Sequence, residues 1–214
     1  MKAPIDTKLQ RYRSSLSNAL SYAPLRKTLT RYSYDRPTLL KGEALLQKAL
    51  KLQLTKDDTL GAQKDATDAI QQRWRSLKAV FTEHRQLARI AFKSQRGVLT
   101  QLKLNDPLKT SFSGWVTQAT AFYTKVGNHL EGMNRYGVDA QGIATVQTQL
   151  EELLALYDQQ LQRKAEAQHT TEQRNKVIKE LDHWMREFYQ IAKIALKDEP
   201  QQLEMLGIVV ATPA

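Results

Sequence analysis

The stretch LARIAFKSQRGVLTQLKL at residues 87–104 recurs 104 residues later as IAKIALKDEPQQLEMLGI at residues 191–208. The same offset aligns RYSYD at residues 31–35 with RYGVD at residues 135–139. A shared heptad of leucines could produce chance matches along a helix. It does not explain a repeated Arg-Tyr-x-x-Asp motif or the likeness of LARIAFK to IAKIALK. These two pairs of segments therefore decide how the rest of the chain is interpreted.

Identical residues continue between the two anchors without a gap. From residue 30 to residue 104, 16 of 75 positions match their counterparts, whereas ordinary residue frequencies would give about five matches. The sequence predicts a tandem duplication, with a first helical repeat at 1–104 and a second at 105–214. A supersecondary unit used twice is expected to pack about a pseudo-twofold axis, so that the two repeats form one structural domain.

Each repeat has the periodicity of a short helix followed by a long one. Apolar residues at helical spacing predict short helices at about 5–23 and 113–130, and Pro24 is expected to end the first. After the Arg-Tyr-x-x-Asp motif, heptad-spaced apolar residues predict long helices at about 37–95 and 140–198. The chain has only 9 glycines and 6 prolines, which favours an all-α fold over a sheet with many turns.

Two helical architectures satisfy this pattern. Both long segments are apolar at their ends and polar in the middle, which favours two continuous antiparallel helices forming an elongated bundle. One short helix would then complete a three-helix bundle at each end. The alternative is a compact six-helix bundle in which the long helices break near residues 55–61. LTKDD at 54–58 supports such a break, because Thr55 and Asp58 have the spacing of a capping box and Gly61 follows.

The segments after the long helices are expected to fold back. At 96–110 and 199–214 we predict short turns whose leucines cover the bundle ends, and Pro200 is expected to open a last helical turn.

The repeated motif supplies one set of candidate functional residues. It consists of Arg31, Tyr32 and Asp35 in the first repeat and of Arg135, Tyr136 and Asp139 in the second. The aspartate is suited to cap the long helix that follows, and the arginine and tyrosine are expected to clamp the turn onto the bundle. The alternative is that the arginine holds an anion at the helix start.

The net charge of +10 is divided unevenly between the repeats. Residues 1–104 hold 21 Lys+Arg and 8 Asp+Glu, whereas residues 105–214 hold 11 and 14, so the balances are +13 and −3. Candidate anion-binding or partner-binding residues interleave with tyrosines in the first repeat; they are Arg11, Arg13, Arg26, Lys27, Arg31 and Arg36. Basic side chains neutralise phosphates, and aromatic rings stack on unpaired bases.

No catalytic or cofactor-binding signature is present. The chain has no cysteine, which excludes disulfides, thiolate metal sites and a cysteine nucleophile. Two Glu-x-x-His pairs, Glu166/His169 and Glu180/His183, lie about 21 Å apart along one predicted helix and so cannot form one dinuclear site. His84 falls on a core row, where a hydrogen-bonded histidine is expected. We therefore predict no enzyme, no cofactor and no metal site.

Two functions remain. The leading one is a structural or protein–protein interaction module that self-assembles head to tail, the basic repeat of one molecule meeting the mildly acidic repeat of another. The alternative is binding of nucleic acid or another polyanion through the basic repeat. The N-terminus lacks an apolar signal core, and no apolar stretch approaches the ~20 residues of a membrane span. The expected compartment is the cytoplasm.

The chain also resembles a group of bacterial helical proteins to which no activity is attached. The resemblance is carried by LARIAFK at 87–93, SGWVTQATAFY at 113–123 and IAKIALKDEPQQLEMLGI at 191–208, and it extends over most of the chain. It implies an all-helical duplicated fold and a bacterial source.

Overall fold

The structure, a computed structural model, describes residues 4–209, and this part of the chain is helical without any β-strand. The helices are α1 (Ile5–Ser21), α2 (Ala23–Thr30), α3 (Arg36–Ala91), α4 (Arg96–Gln101), α5 (Phe112–Val126), α6 (Leu130–Asn134), α7 (Ala140–Ala195) and α8 (Pro200–Met205), with a 3-10 turn at Gly127–His129 between α5 and α6. The all-α prediction is confirmed.

Two continuous helices dominate the architecture, as predicted. Helices α3 and α7 have 56 residues each, and both their starts and their ends are separated by the 104-residue offset of the sequence repeat. Helix α3 passes through 54–61 without interruption. The Thr55 hydroxyl donates to the Lys51 carbonyl one turn earlier (3.1 Å) instead of capping a new helix. The alternative with broken long helices is therefore wrong.

The chain folds into two compact units, and each unit takes residues from both repeats. Unit 1 comprises 1–60 and 165–214, and unit 2 comprises 61–164. The first half of α3 thus packs with the last half of α7 in unit 1, and the converse holds in unit 2. This is the antiparallel arrangement expected from helices that are apolar at both ends.

Unit 1 is held together by α1, α2 and the two long-helix segments. Its core consists mainly of leucines from five helices, α1, α2, α3, α7 and α8, together with Phe188 of α7. At Gly42 the helices approach so closely that an added Cβ would lie 2.5 Å from two carbons of the Trp184 indole. That indole stacks on Phe188 with ring centroids 5.5 Å apart. On the other side of the unit, Asp182 accepts hydrogen bonds from Lys8 (2.7 Å) and Tyr12 (3.1 Å).

Unit 2 is built around an aromatic cluster. Phe81 of α3 makes ring contacts with Trp115, Phe122 and Tyr123 of α5 at centroid distances of 5.5 to 6.0 Å. The buried Arg85 lies on the same helix, and its guanidinium donates to the carbonyls of 103 and 104 (2.9 and 3.1 Å). Those bonds tie the segment after α4 to the core.

The short helices differ in part from the prediction. Helix α1 ends at Ser21, and Pro24 lies inside the first turn of the unpredicted helix α2. Proline is tolerated there because the first turn of a helix needs no N–H partner. Pro200 opens α8 as expected. The predicted turn at 199–214 includes residues 210–214, which lie outside the described part.

Candidate functional site

The repeated turn has the same backbone geometry in both repeats. Ser33 and its counterpart Gly137 adopt positive φ angles of 66° and 79°. In the first repeat the N–H of Tyr34 donates to the Leu29 carbonyl (3.2 Å), and in the second the N–H of Val138 donates to the carbonyl of residue 133 (3.3 Å). This is the hydrogen-bond pattern of a Schellman motif, which ends a helix at a left-handed residue. The turn is therefore shaped by backbone bonding.

The aspartate of the motif caps the long helix that follows. Asp35 Oδ1 accepts from the backbone N–H of Thr38 (2.9 Å), and Asp139 Oδ1 accepts from that of Gly142 (2.7 Å). The hydrogen bonds at Thr38 hold the pKa of Asp35 below its ordinary value, because they favour the charged carboxylate. Each aspartate thus occupies the capping role expected from the sequence.

The arginine and tyrosine of the motif are partly accessible to solvent. Tyr32 and Tyr136 keep 41% and 40% of their surface exposed, and Arg31 and Arg135 are exposed as well. Tyr34 and Val138 pack inward beside them. Arg135 and Tyr136 line a cavity together with Ala91 and Phe92 at the end of α3. The expected clamp of the turn stays a prediction.

The six basic candidates of the first repeat lie in unit 1, but they do not form one cluster. Positions 11 and 13 are about 200° apart around α1, because each residue turns an α-helix by about 100°. Arg11 lies over the rings of Tyr12 and Tyr189 (5.8 and 5.9 Å). Arg26 is half-buried and donates to the Leu20 carbonyl. Both side chains are therefore partly used in holding the unit together.

The other four basic candidates are exposed, without an ion-pair partner in the described chain: Arg13, Lys27, Arg31 and Arg36. Lys27 lies on α2, and Arg31 directly follows that helix. Tyr22 directly precedes α2 and Tyr32 comes after Arg31, and each is 41% exposed. We call Tyr22, Lys27, Arg31, Tyr32 and Arg36 the basic surface. It combines positive charge and partly exposed aromatic rings around α2.

The two compact units carry the same formal charge. Unit 1 contains 18 Lys+Arg and 13 Asp+Glu, and unit 2 contains 14 and 9, so each has a balance of +5. The difference between the repeats disappears because each unit combines half of one repeat with half of the other. Net charge therefore gives no reason for one unit to attract the other, and the head-to-tail contact between the basic and the acidic repeat stays a prediction.

A second surface emerges when the repeat identities are compared with exposure. On α3, Glu83, Gln86 and Ile90 are exposed, and the exposed Lys93 follows in the turn after the helix. The spacing of the three helical residues places them within about 60° on one face of the helix. On α7 the exposed residues of the same types are Glu187, Gln190 and Ile194, and the exposed Lys197 lies in the turn that follows. We call these sets the α3 stripe and the α7 stripe. Unit 2 contains the first and unit 1 the second.

Among positions that are exposed in both repeats, identical residues occur in the stripes and the repeated turn but not in the helix between them. Between positions 36 and 79, 20 positions are exposed in both repeats, and none has the same residue in both. Core positions can match because packing restricts them, but exposed helix positions tolerate most substitutions. The isoleucines show this most clearly, since Ile90 and Ile194 are 52% and 58% exposed. Sequence matches alone do not identify the stripes, because core residues also match between the repeats and only the exposure of each side chain separates the two groups.

Cavities of moderate size occur within unit 2. One of about 590 Å³ lies between α3 and α7, where Arg73 and Glu152 form an ion pair at its edge. Another, of about 410 Å³, borders the repeated turn and includes His129, Glu131 and Tyr136. In the described chain, no hydrogen bond joins these three side chains. The corresponding positions of the first repeat are Leu25, Lys27 and Tyr32, so the cavity is not a duplicated feature.

The remaining histidines and acids have local roles. His84 Nδ1 hydrogen-bonds the Tyr123 hydroxyl (3.0 Å), and burial lowers the pKa of His84. His169 contacts Gln173 (2.8 Å), and His183 lies 3.3 Å from Glu187. Over 4–209 there is no cluster of three or more acidic or histidine side chains that could hold a metal ion.

Comparison with known proteins leaves the family of this chain open. No helix within 4–209 combines the length and the apolar character that crossing a bilayer requires. The resemblance to bacterial helical proteins stays a prediction. No protein-family model, no curated protein and no solved structure matches this chain.

Proposed function

We propose that this chain is a non-enzymatic, cytoplasmic protein–protein interaction module that docks through its stripes. One observation carries the proposal: the exposed Glu-x-x-Gln-x-x-x-Ile-x-x-Lys pattern occurs in both repeats, although the exposed positions between 36 and 79 have all diverged. A single exposed isoleucine is ordinary on a protein surface, so the argument rests on the retention of the whole pattern in both repeats. The rest of the helical fold serves to hold each stripe on a long rigid element.

The heptad spacing of the stripe supports an α-helical partner. Its three helical positions follow one another at intervals of three and four residues, which is the spacing of the seam residues in a coiled coil, and the lysine lies two residues beyond the helix end. Each stripe has one aliphatic residue beside an amide and two opposite charges. Such a seam is suited to a small contact of moderate strength, since the apolar area is limited.

Site-specific photo-cross-linking in the native cells tests this function. A photoreactive residue at position 90 or 194 is expected to form adducts with one and the same identified protein, because the stripes are equivalent. The matched control is Leu54, which is 68% exposed on α3 and has Asp158 as its counterpart. Absence of any protein adduct at 90 and 194, or the same adducts at 54, would contradict the proposal.

A second candidate function is polyanion binding by the basic surface. It is favoured by the exposure of Lys27 and Arg31 together with the partly exposed Tyr22 and Tyr32 before and after α2. Nonspecific phosphate binding is strongest at low salt, so a fluorescent single-stranded oligonucleotide should bind at about 50 mM salt. Lys27→Glu combined with Arg31→Glu should then weaken binding more than Lys51→Glu, an exposed control on α3. Undetectable binding at that salt concentration eliminates this function.

A further inference from the structure

We propose that the cavity of about 410 Å³ in unit 2 binds a free amino acid, a small molecule that carries a carboxylate and an ammonium group on neighbouring atoms. The cavity lies between the turn after α3 and the segment that runs from the 3-10 turn through α6 to the repeated turn. Its volume lies within the ~300–1,000 Å³ of ordinary small-molecule sites. Such binding is additional to docking through the stripes.

The apolar part of the cavity is well ordered by packing. Phe92 is 3% exposed and, with Ala91, lines the cavity at the end of α3. Gly132 lies directly against the Phe92 ring, where an added Cβ would overlap it, and the His129 ring contacts Phe92 at a centroid distance of 5.7 Å. Ligand sites typically join apolar or aromatic surface with a few polar groups that fix orientation. This part of the cavity is suited to the carbon skeleton of a ligand.

The polar part of the cavity has no internal partners. Glu131 and Arg135 are four residues apart with the glutamate first, the order that favours an ion pair on a helix. Neither side chain nevertheless forms an ion pair or a hydrogen bond within 4–209. The other polar side chains that line the cavity also lack hydrogen bonds in that range; they are Gln95, Asn128, His129 and Tyr136. Their hydrogen-bonding capacity is therefore available to a ligand.

One arginine and one glutamate favour a ligand that carries both charges. The Arg135 guanidinium can donate two parallel N–H bonds to a carboxylate, and the Glu131 carboxylate can accept from an ammonium group. A simple anion would satisfy Arg135 but would also meet the negative charge of Glu131, and a simple cation would have the converse difficulty. Tyr136, which is 40% exposed, adds a hydroxyl and ring surface next to Arg135.

The first repeat lacks this combination of charges. The counterparts of Glu131 and Arg135 are Lys27 and Arg31, which are both cations, and Leu25 stands in place of His129. The equivalent position of the first repeat therefore offers no carboxylate to an ammonium group. Arg31 is exposed in the same turn geometry, so Arg31→Gln is a matched control for Arg135→Gln.

NMR titration of the isotopically labelled full chain with each standard amino acid tests this site. At least one amino acid should bind at millimolar concentration and shift backbone signals of the cavity, that of Gly132 among them. The N-acetyl and methyl-ester derivatives of that amino acid each lack one charge and should bind about tenfold more weakly, as expected for the loss of a hydrogen bond between charged groups. Arg135→Gln and Glu131→Gln should weaken binding by a similar factor. Arg31→Gln should leave it unchanged.

Several results would overturn this assignment. They are the absence of shifts at the cavity with every amino acid, shifts confined to other parts of the chain, and equal weakening by Arg31→Gln. If the N-acetyl derivative or succinate binds as tightly as the amino acid, the cavity holds a simple anion and the role of Glu131 is refuted. The comparison of derivatives uses only the wild-type chain, so it decides even where a variant loses helix content by circular dichroism. Cross-linking at position 90 tests the stripes separately.

Discussion

Replacing Gly42 with alanine tests how closely the long helices approach in unit 1. The added methyl group would lie 2.5 Å from two carbons of the Trp184 indole and 2.8 Å from a third. Carbon atoms in contact are normally about 3.5–4.0 Å apart. The indole or the helix must therefore shift by about 1 Å. The ring has little room to do so, because it stacks on Phe188 and contacts the edge of Tyr34 at 5.6 Å.

Gly61 provides the matched control on the same helix. No atom lies within 4 Å of the position that a Cβ would take there. Gly61→Ala should therefore stabilise the protein by about 1 kcal/mol through helix propensity. Gly42→Ala has the same propensity gain but adds an overpacking cost of about 1–3 kcal/mol. The two variants should thus differ in free energy of unfolding by about 1–3 kcal/mol, with Gly42→Ala the less stable.

Urea unfolding followed by circular dichroism measures this difference. A second readout is tryptophan fluorescence, since displacement of Trp184 should alter the emission of Gly42→Ala and leave that of Gly61→Ala unchanged. If the two variants are equally stable, the close approach at Gly42 is refuted.

The residues at the equivalent positions of the other repeat suggest two changes that should compensate each other when combined. The counterparts of Gly42 and Trp184 are Val146 and Val80, which belong to the core region of unit 2. Gly42→Val with Trp184→Val should therefore be more stable than the sum of the single changes predicts, with a coupling of about 1 kcal/mol or more. If the double variant changes the free energy of unfolding by the sum of the two single changes, the side chains at positions 42 and 184 do not compete for the same space.

Three further predictions concern the turns and His84. Asp139→Ala should cost about 1 kcal/mol of unfolding free energy through loss of the helix cap, and Asp139→Asn should retain most of it. Ser33→Gly should stabilise the protein and Gly137→Ser should destabilise it, each by up to about 1 kcal/mol, because both positions have a positive φ. Urea titrations in which Ser33→Gly lowers the free energy of unfolding, or Gly137→Ser raises it, would contradict this. Burial lowers the pKa of His84 from 6.5, so the unfolded chain binds the proton more readily, and stability should fall as pH drops below 6.5. His84→Gln should weaken that dependence, and an unchanged pH profile would count against it.

Much of the fold could be predicted from the sequence. The sequence located the starts of both long helices to within one residue, because helix caps are local, but it placed their ends at 95 and 198, whereas the helices end at Ala91 and Ala195. The aspartate caps were predictable for the same reason. Helix α2 was missed because Pro24 was interpreted as a stop, although proline also suits the first turn of a new helix.

The candidate surfaces depended on tertiary structure. Sequence matches alone do not separate Leu77, which is buried in both repeats, from Ile90, which is exposed in both. The basic candidates were equally ambiguous, because helical phase and local contacts decide that Arg26 bonds a carbonyl whereas Arg31 faces solvent.

The sequence by itself determined that the chain is all-α, duplicated and built on two long helices. Only the tertiary structure decided where the boundary between the two compact units lies and that the charge is therefore shared equally between the units. The physical reason is that the apolar ends of the two long helices are chemically alike. Periodicity shows which residues must be buried, but the choice of partner for each apolar face comes from shape, as in the fit of Trp184 against Gly42.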